Sequence, residues 1–389
     1  MTRDRRYRTA AALAACLLLA ACARPAKVPA RARAPRPAGR APVTSSVASA
    51  NAIVPSYVHM VTAQNGWGVG AGIFLTRDGG RRWADVTPPG ATATWPEFPD
   101  QISIPNASTA WVVGQLAQGE ALYRTTTAGG SWQNVRLPAV NVRIDGLYFT
   151  SYTGVSIAAT SAQDAWLLAI LAQAAGTEYA ELYQTTDGGQ IWEAQGSWVG
   201  GDSTVLVAQT STSLWLGVYG AETTNSASVS HSADGGERWQ DVRLPVPGAY
   251  QQNFFGTLGP QFFNAEDGLI PVLPGVSPAV LIFDSTVDGG QSWQASTPLV
   301  VHTLKQVYAF ADAEHGWVAT GQQVVATTDG GQSWHALTPT GNAPVPQDIQ
   351  QLDFVSPSTG WAVAVSGGKA QLWRTQDGGA AWTELGSTS

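Results

Sequence analysis

Two glutamates, Glu178 and Glu222, can be nominated for acid–base chemistry in this sequence. Hydrolysis of a glycosidic bond needs two carboxyl groups at a defined separation, one on each side of the bond. The positions of these glutamates in the sequence do not show that their side chains converge. Glycoside hydrolysis, or glycan binding, therefore stays open as the alternative function, and we assign no catalytic residue.

Patterns for metals and for nucleophilic catalysis are weaker. The five histidines are scattered without the spacing of metal ligands, and the sequence has no Asp-x-Asp-x-Asp-Gly loop for calcium. Ser366 and Lys369 match the Ser-x-x-Lys spacing, but they lie in a glycine-rich stretch between predicted strands and not at the start of a helix. The sequence therefore predicts no metal site and no cofactor.

A turn with the pattern Ser/Thr-x-Asp-x-Gly-x-x-Trp is repeated along the sequence. The aspartate of such a turn accepts hydrogen bonds from backbone N–H groups, the hydroxyl adds a partner, and glycine permits a positive φ. The tryptophan is expected to cover its own hairpin. Six aspartates are therefore predicted to be structural: Asp78, Asp187, Asp234, Asp288, Asp329 and Asp377. A seventh copy has Thr127 instead.

The segments between these turns have the pattern of β-strands. Before most turns a tryptophan opens a run of alternating small and branched apolar residues, as in residues 361–365, which indicates a strand. Successive turn tryptophans are 41 to 60 residues apart, which suits one four-stranded blade. The seven copies predict an all-β, seven-bladed β-propeller over residues 51–389. Each blade is expected to have four antiparallel strands, named A to D in chain order, and the repeated turn joins strands C and D.

These motifs resemble the Asp-box (bacterial neuraminidase repeat) propellers. Residues 327–334 read Thr-Thr-Asp-Gly-Gly-Gln-Ser-Trp and fit the T-T-D-G-G-x-x-W repeat of the photosystem II assembly and stability factor family. The resemblance implies the propeller fold. It does not decide the function, because sialidases, xyloglucanases, sortilin-type receptors and assembly factors share the repeat. The Phe/Tyr-Arg-Ile-Pro motif of sialidases does not occur here.

Binding residues are expected on one face of the predicted disc. Neighbouring strands run in opposite directions, so the A–B turns and the Asp-box turns share one face, the box face. The B–C and D–A connections share the other, the loop face. Only the loop-face connections vary strongly in length, and variable loops on a rigid scaffold commonly carry binding residues. The candidate binding residues are aromatic: Trp95, Tyr152, Tyr179, Trp198, Tyr250 and Phe254.

The N-terminal residues predict export and lipid anchoring. Residues 1–22 have a basic start and a short apolar stretch that is too short to span a bilayer, which is typical of a signal peptide. Residues 19–22, Leu-Ala-Ala-Cys, resemble the lipobox of bacterial lipoproteins, and this resemblance implies that Cys22 is lipidated. Residues 23–50 are rich in Ala, Pro and Arg and predict a flexible tether.

Charge divides sharply along the chain. Residues 23–40 carry six basic residues and no acid, which fits either a contact with anionic lipid headgroups or a solvated linker. Residues 41–389 carry 11 basic and 27 acidic residues, a net charge of −16, which argues against a nucleic-acid partner. We therefore predict a non-enzymatic, extracytoplasmic, membrane-anchored scaffold that presents its loop face to a protein or glycan partner at the cell envelope. The sequence does not indicate its oligomeric state.

Overall fold

The structure is a computed structural model. The residues that it describes belong to a compact unit that spans residues 50–389. The described ranges are 53–91, 95, 101–116, 119–174, 177–200, 204–218, 226–251, 253, 255–302, 307–338 and 344–387. The predicted signal peptide, Cys22 and the predicted tether lie outside these ranges.

The described strands form seven blades, each a set of antiparallel strands that follow one another in the sequence. Blades 1 and 2 contain β1 (Tyr57–Met60), β2 (Gly66–Val69), β3 (Ile73–Thr76), β4 (Ala84–Asp85), then β5 (Ile102–Asn106), β6 (Thr109–Leu116), β7 (Gly119–Thr125) and β8 (Gln133–Val135). A two-stranded hairpin follows, with β9 (Val142–Ile144) and β10 (Leu147–Phe149). Blades 3 and 4 contain β11 (Gly154–Ala159), β12 (Ala165–Ala174), β13 (Thr177–Thr185), β14 (Glu193–Gly200), then β15 (Thr204–Ala208), β16 (Leu214–Val218), β17 (Ser228–Ser232) and β18 (Gln240–Arg243).

The remaining three blades follow the same plan, with a broken first strand and a second outer strand in blade 5. Blade 5 contains β19 (Phe255–Thr257), β20 (Gln261–Phe262), β21 (Gly268–Pro274), β22 (Ala279–Thr286), β23 (Gln294–Ala295) and β24 (Leu299–Val301). Blades 6 and 7 contain β25 (Tyr308–Phe310), β26 (Gly316–Ala319), β27 (Val324–Thr327), β28 (His335–Ala336), then β29 (Ile349–Phe354), β30 (Gly360–Ser366), β31 (Lys369–Thr375) and β32 (Thr383–Ser387). The blades form a ring, so the predicted seven-bladed all-β propeller is confirmed.

The hydrophobic core lies between neighbouring blades. One cluster combines Trp111 and Leu122 of blade 2 with Ile157 and Leu167 of blade 3. Strand B is the most deeply buried strand; all four residues of β2, for example, are buried. Because both faces of a blade contact other blades, strand B reads as a continuous run of small and apolar residues. Its first tryptophan is almost fully buried in five blades, at Trp67, Trp111, Trp166, Trp215 and Trp361.

The Asp-box turn of blade 6 shows how the aspartate acts. The Thr327 hydroxyl donates to Asp329 over 2.7 Å, and the Asp329 carboxylate accepts the Ser333 backbone N–H over 2.9 Å. The Thr327 hydroxyl also accepts the backbone N–H of Gly331 over 2.9 Å. The Ser333 hydroxyl also donates to the Asp329 carboxylate, and this bond has the largest effect on its pKa. Together the hydrogen bonds stabilise the charged form and lower the pKa of Asp329 to about 2.

The box tryptophans do more than cover their own hairpins. The Trp293 indole N–H donates to the Gly290 carbonyl of its own turn over 3.0 Å, and several box rings also reach the preceding blade. Trp132 of blade 2 reaches blade 1, where its ring centroid lies 6.3 Å from that of Trp67 and its indole N–H donates to the Val86 carbonyl over 2.6 Å. Trp293 of blade 5 packs in the same way on Trp215 of blade 4, at 5.8 Å. In blades 2, 3 and 5 the box tryptophan therefore joins two blades, and its partner is the strand-B tryptophan of the preceding blade.

The ring closes through side chains, because blade 7 takes all four of its strands from residues 349–387. The Gln351 side chain accepts the Val58 backbone N–H over 2.8 Å and donates to the Val58 carbonyl over 2.6 Å. The Asp353 carboxylate accepts the backbone N–H of Met60 over 2.5 Å. Side chains of β29 thus bind the backbone of β1 at the point where the two ends of the propeller meet.

Repairing the degenerate turn of blade 2 should stabilise the protein. Ala128 has a φ of 53° where the other boxes have glycine, a conformation that costs an L-residue about 1–2 kcal/mol. The Thr127 hydroxyl replaces the aspartate and accepts the Ser131 backbone N–H over 2.8 Å. We expect Thr127→Asp with Ala128→Gly to raise the free energy of unfolding by about 1–2 kcal/mol, measured by chemical denaturation. Ala380→Gly in the box turn of blade 7, where φ is negative, is the control and should destabilise; equal effects would contradict the explanation.

Candidate functional site

Trp95 does not present a binding surface, contrary to the expectation from sequence. Its side chain is 5% exposed and belongs to the core cluster between blades 1 and 2. Its ring centroid lies 5.6 Å from that of Tyr123 on strand C of blade 2. The long connection between these blades therefore returns an aromatic ring to the core, where it packs against a strand.

Trp198 is also a packing residue and does not lie in a connection. It belongs to β14, the strand D of blade 3, where it pairs with Ala180. Its ring contacts Trp239, the box tryptophan of blade 4, with 5.8 Å between ring centroids. Strand D of this blade is long: the eight residues of β14 continue far past the box tryptophan and include Trp198.

The remaining aromatic candidates are half-buried. Tyr152 and Tyr179 pack against the core cluster between blades 2 and 3, and Tyr250 packs against the cluster between blades 4 and 5. Burial, with the nearby charge of Glu120, raises the pKa of Tyr152. Phe254 lies outside the described residues. The five described candidates are spread over different blades, so the structure does not bring those five into one site.

Of the two glutamates considered for hydrolysis, Glu178 is the one that the structure describes. Glu178 lies on β13, is fully buried, and accepts a hydrogen bond of 2.6 Å from the Gln173 side chain. Glu222 lies outside the described residues. Glu178 shares its face of the blade with Ala180 and Leu182, which pack toward blade 4.

A cleft of about 320 Å³ opens on the loop face between blades 6 and 7. Its walls are the B–C turn of blade 6, residues 321–324, and the end of the connection into blade 7, residues 345–349, together with Gly379 and Trp382 of the box turn of blade 7. The cleft exists because β26 and β27 have four residues each, whereas β30 and β31 have seven. Blade 6 therefore stops short of the rim that blade 7 reaches.

The lining of the cleft combines amides with apolar side chains. Gln322, Gln323 and Gln347 are exposed at its rim, and each amide carries both a donor and an acceptor. The apolar part includes Val324, Leu337, Val345, Ile349 and Trp382. This composition matches small binding pockets, in which a mainly apolar surface contains a few polar groups that orient the ligand.

The cleft was missed in the sequence because the search for binding residues followed aromatic side chains. The signal that was present is a concentration of glutamines in two connections of the same face, at residues 322–323 and at residue 347. The polypeptide at this wall is held firmly. Asp348 has a φ of 47°, and its carbonyl accepts hydrogen bonds from the Val365 backbone N–H over 3.1 Å and from the Gln350 side chain over 2.7 Å.

Comparison with known proteins supports the fold. No protein-family model matches the chain, and no curated protein matches it. Among solved structures it is similar to YCF48 bound to D1 peptide, with 18% identity over 82% of this chain and 90% of the other, and a TM-score of 0.50. The chain is an Asp-box propeller with the fold of YCF48. The predicted resemblance to the photosystem II assembly factors is thereby confirmed for the fold.

Two further structures are among those similar to the chain. YCF48 from Cyanidioschyzon merolae is 16% identical, with 82% of this chain and 94% of that chain covered and a TM-score of 0.47. The GH74 xyloglucanase from Xanthomonas campestris is 15% identical, with 82% of this chain and 62% of that chain covered and a TM-score of 0.29.

A hairpin between blades 2 and 3 adds exposed apolar surface to the loop face. β9 and β10 are joined by Asp145 and Gly146, with φ of 51° and 86°. An Asp-Gly pair between two short apolar runs is a strong hairpin signal, and it was overlooked in the sequence. Leu147 and Tyr148, which follow the turn, are 51% and 65% exposed.

Two further properties of the described residues bear on the site. In that part of the chain, no group of three or more His, Cys, Asp or Glu side chains is placed to hold a metal ion. Across the same residues, no helix has the length and apolar character that a membrane span requires.

Replacing Trp198 tests its revised assignment. From its place in the sequence, Trp198→Ala would weaken partner binding with little change in melting. From its contact with Trp239, we expect Trp198→Ala to lower the free energy of unfolding by about 2–3 kcal/mol. Trp198→Phe keeps a ring against Trp239 and removes an indole N–H that is buried without a partner in the described structure, so it should change stability by less than about 1 kcal/mol. Thermal and chemical denaturation of both variants would measure this, and equal stabilities for the two would contradict the packing role.

Proposed function

We propose that this protein is a non-enzymatic scaffold outside the cytoplasm, anchored to a membrane through a lipid on Cys22, that binds an extended segment of a partner protein. The binding site in this proposal is the cleft between blades 6 and 7. The partner would lie between the B–C turn of blade 6 and the connection into blade 7, with an apolar side chain in the cleft.

The lining of the cleft is the observation that supports this proposal. An extended peptide offers backbone N–H and C=O groups at regular intervals, and the amides of Gln322, Gln323 and Gln347 can pair with both kinds of group. A volume of about 320 Å³ accommodates one or two apolar side chains. YCF48, which has the same fold, has been solved with a D1 peptide bound. A peptide ligand therefore suits both the chemistry of this cleft and the fold.

The cleft suits hydrolysis of a glycan less well. A glycosidase needs two carboxyl groups across the bond, and Asp348 is the one carboxylate among the described residues that line the cleft. Sugar rings bind against exposed aromatic faces, whereas the Trp382 ring in the cleft is 5% exposed. These features favour a peptide ligand over a glycan substrate.

Site-specific photo-crosslinking in intact cells tests the binding site. A benzophenone amino acid at Gln323 or Gln347 is expected to give one discrete crosslinked protein after irradiation. Gln190 is the matched control, because it is an exposed glutamine in the box turn of blade 3 and does not line the cleft, and the same probe there should give none. Equal crosslinking from the cleft and from Gln190, or none from the cleft, would contradict the proposal.

Cell fractionation tests the anchor independently. Cys22→Ala should remove the lipid and move the protein from the membrane fraction to the soluble fraction, or stop its maturation. Crosslinking at Gln323 does not require the lipid in a variant that is exported, so failure of one half of the proposal can be distinguished from failure of the other. A Cys22→Ala variant that remains lipidated and membrane-bound would contradict the anchoring.

A further inference from the structure

The Asp-box turn of blade 1 carries a cluster of arginines on the box face. Arg77, Arg81 and Arg82 lie in the eight residues of this turn, and all three side chains are exposed. The equivalent positions of the other boxes also point outward. In blade 5, for example, Val287 corresponds to Arg77 and is 74% exposed. The turn therefore presents three guanidinium groups to the solvent from one rigid hairpin.

The charge of this turn is unlike that of the other boxes. Residues 76–83 contain three arginines and one aspartate, a net charge of +2, and the neighbouring degenerate box at 125–132 contains no charged residue. The other five box turns each have a net charge of −1: 185–192, 232–239, 286–293, 327–334 and 375–382. The loss of the aspartate at Thr127 thus removes a negative charge from the blade next to the arginines.

A fourth arginine lies beneath the turn. Arg374 of blade 7 is 5% exposed; its guanidinium lies 5.2 Å from the centroid of the Trp361 ring and donates to the Ala63 carbonyl over 3.1 Å. Burial lowers the pKa of Arg374, and repulsion by Arg81 lowers it further, while Asp78 opposes both. The positive charges of blades 1 and 7 are therefore close enough to reinforce one another.

The nearby carboxylates are engaged in the local turn structure. Asp78 accepts the Thr76 hydroxyl over 3.1 Å and the Arg82 backbone N–H over 2.9 Å. Asp85, on β4, accepts the Thr87 backbone N–H over 2.9 Å. With Asp78 included, the turn keeps an excess of positive charge that can attract an anionic surface.

We propose that this arginine turn binds the headgroups of anionic phospholipids and so orients the propeller on the membrane. A guanidinium group can donate two parallel hydrogen bonds to the oxygens of one phosphate group. The body from residue 41 onward has a net charge of −16 and is repelled by such a membrane everywhere else. Because salt screens charges beyond about 8 Å, only the part of the surface that touches the headgroups decides the contact.

The consequence concerns the opposite face. With the box face of blade 1 against the bilayer, the loop face and the cleft between blades 6 and 7 are turned away from it and remain accessible to a partner. The inference rests on the proposed membrane anchoring, because a lipid anchor holds the body near the bilayer and converts a weak contact into a preferred orientation.

Vesicle sedimentation tests the inference without the lipid and without the basic tether. The sample is residues 51–389, which contain all seven closed blades, mixed with vesicles of phosphatidylcholine alone or with 30% phosphatidylglycerol. We expect binding to the anionic vesicles only, weakening as salt increases. Arg77→Gln, Arg81→Gln and Arg82→Gln together should weaken it at least tenfold. The charge-matched control replaces three exposed arginines away from this turn, Arg136, Arg143 and Arg243, and should change binding less than threefold.

The other outcomes overturn the inference. No preference for anionic vesicles would do so, as would equal losses in the two triple variants, which would show that overall charge alone matters. Binding to polyglutamate in place of vesicles would identify an acidic protein segment as the partner instead of the membrane. A melting temperature within a few degrees of the parent protein's confirms that each variant is folded. Because this test omits Cys22 and does not use the cleft, its result is independent of the lipidation and crosslinking results.

Discussion

Asp284→Asn is expected to stabilise the protein at neutral pH and to remove most of the fall in stability between pH 4 and pH 8. Asp284 lies on β22 of blade 5, fully buried, on the same face of the strand as Ile282. Neither carboxylate oxygen has a hydrogen-bond partner in the described structure. Burial raises the pKa of Asp284 to about 8, because the charged form loses its solvation without compensation.

The direction of the pH effect follows from the raised pKa. Between pH 4 and pH 8 the folded protein keeps the Asp284 proton, whereas the unfolded chain, with its ordinary pKa of 3.8, has lost it. The folded state therefore binds more protons, and stability falls as pH rises through this window. At pH 7, about three units above the pKa of Asp284 in the unfolded chain, the stability lost is about 4 kcal/mol, which is the largest gain that a neutral residue can give.

Two variants and one control make the measurement decisive. Asp284→Asn removes the charge at similar size, and Asp284→Val introduces the residue type that blade 6 has at the equivalent position, Val325. Both should unfold at higher denaturant concentration at pH 7 and show little change between pH 5 and pH 8. Asp288→Asn is the control of opposite sign, because hydrogen bonds, first from the Ser292 hydroxyl, lower the pKa of Asp288 to about 2. That control should be less stable than the parent at pH 7 and should lose less stability as pH falls below 4. A parent protein whose stability rises from pH 5 to pH 8 would contradict the assignment.

The seven blades were predictable because the information is local and repeated. A turn of the type Thr-x-Asp-Gly-Gly needs its hydroxyl, carboxylate and glycines at fixed spacing, and the strands on either side need apolar residues that pack on two neighbours. The sequence also contains the signal for Asp284, since blades 1, 2, 3 and 7 have an aromatic residue two positions before the box threonine. An aspartate at that position is an exception that alignment of the repeats reveals.

The candidate site was harder to predict because connection length says little about side-chain direction. Trp95 lies in a long connection and Trp198 follows a box, yet both pack between blades. Burying a large aromatic side chain is favourable compared with leaving it exposed to water. Such a side chain therefore packs into a gap between blades when one lies within reach. The cleft between blades 6 and 7 depends on relative strand lengths, and these appear only when two blades are placed side by side.

Trp361→Ala is expected to open the ring at its seam, the contact between blades 7 and 1. It should lower the free energy of unfolding by about 3–5 kcal/mol. Trp361 of blade 7 is fully buried, and its indole N–H donates to the Gly79 carbonyl in the box turn of blade 1 over 3.0 Å. Trp317 makes the equivalent contact between blades 6 and 7, with the Gly378 carbonyl at 2.8 Å. The two tryptophans differ in one respect. Residues on either side of the Trp361 contact are 282 apart in sequence, whereas those at Trp317 are 61 apart.

This difference predicts where each variant opens. In a ring of repeats each blade contacts only its neighbours. Loss of the contact between blades 1 and 7 therefore lets these two blades separate while the blades far from the seam stay packed. Trp361→Ala should therefore accelerate hydrogen exchange of β1 and β29 more than that of β15 and β16 in blade 4. Trp317→Ala removes a similar side chain and should cost a similar free energy, but the covalent connection holds blades 6 and 7 together, and exchange in β1 should change less. Gln351→Ala, which removes two hydrogen bonds to Val58, should show the pattern of Trp361→Ala at a smaller cost of about 1–3 kcal/mol. If Trp361→Ala instead accelerates exchange equally in all seven blades, the ring unfolds as one cooperative unit and the seam has no special role.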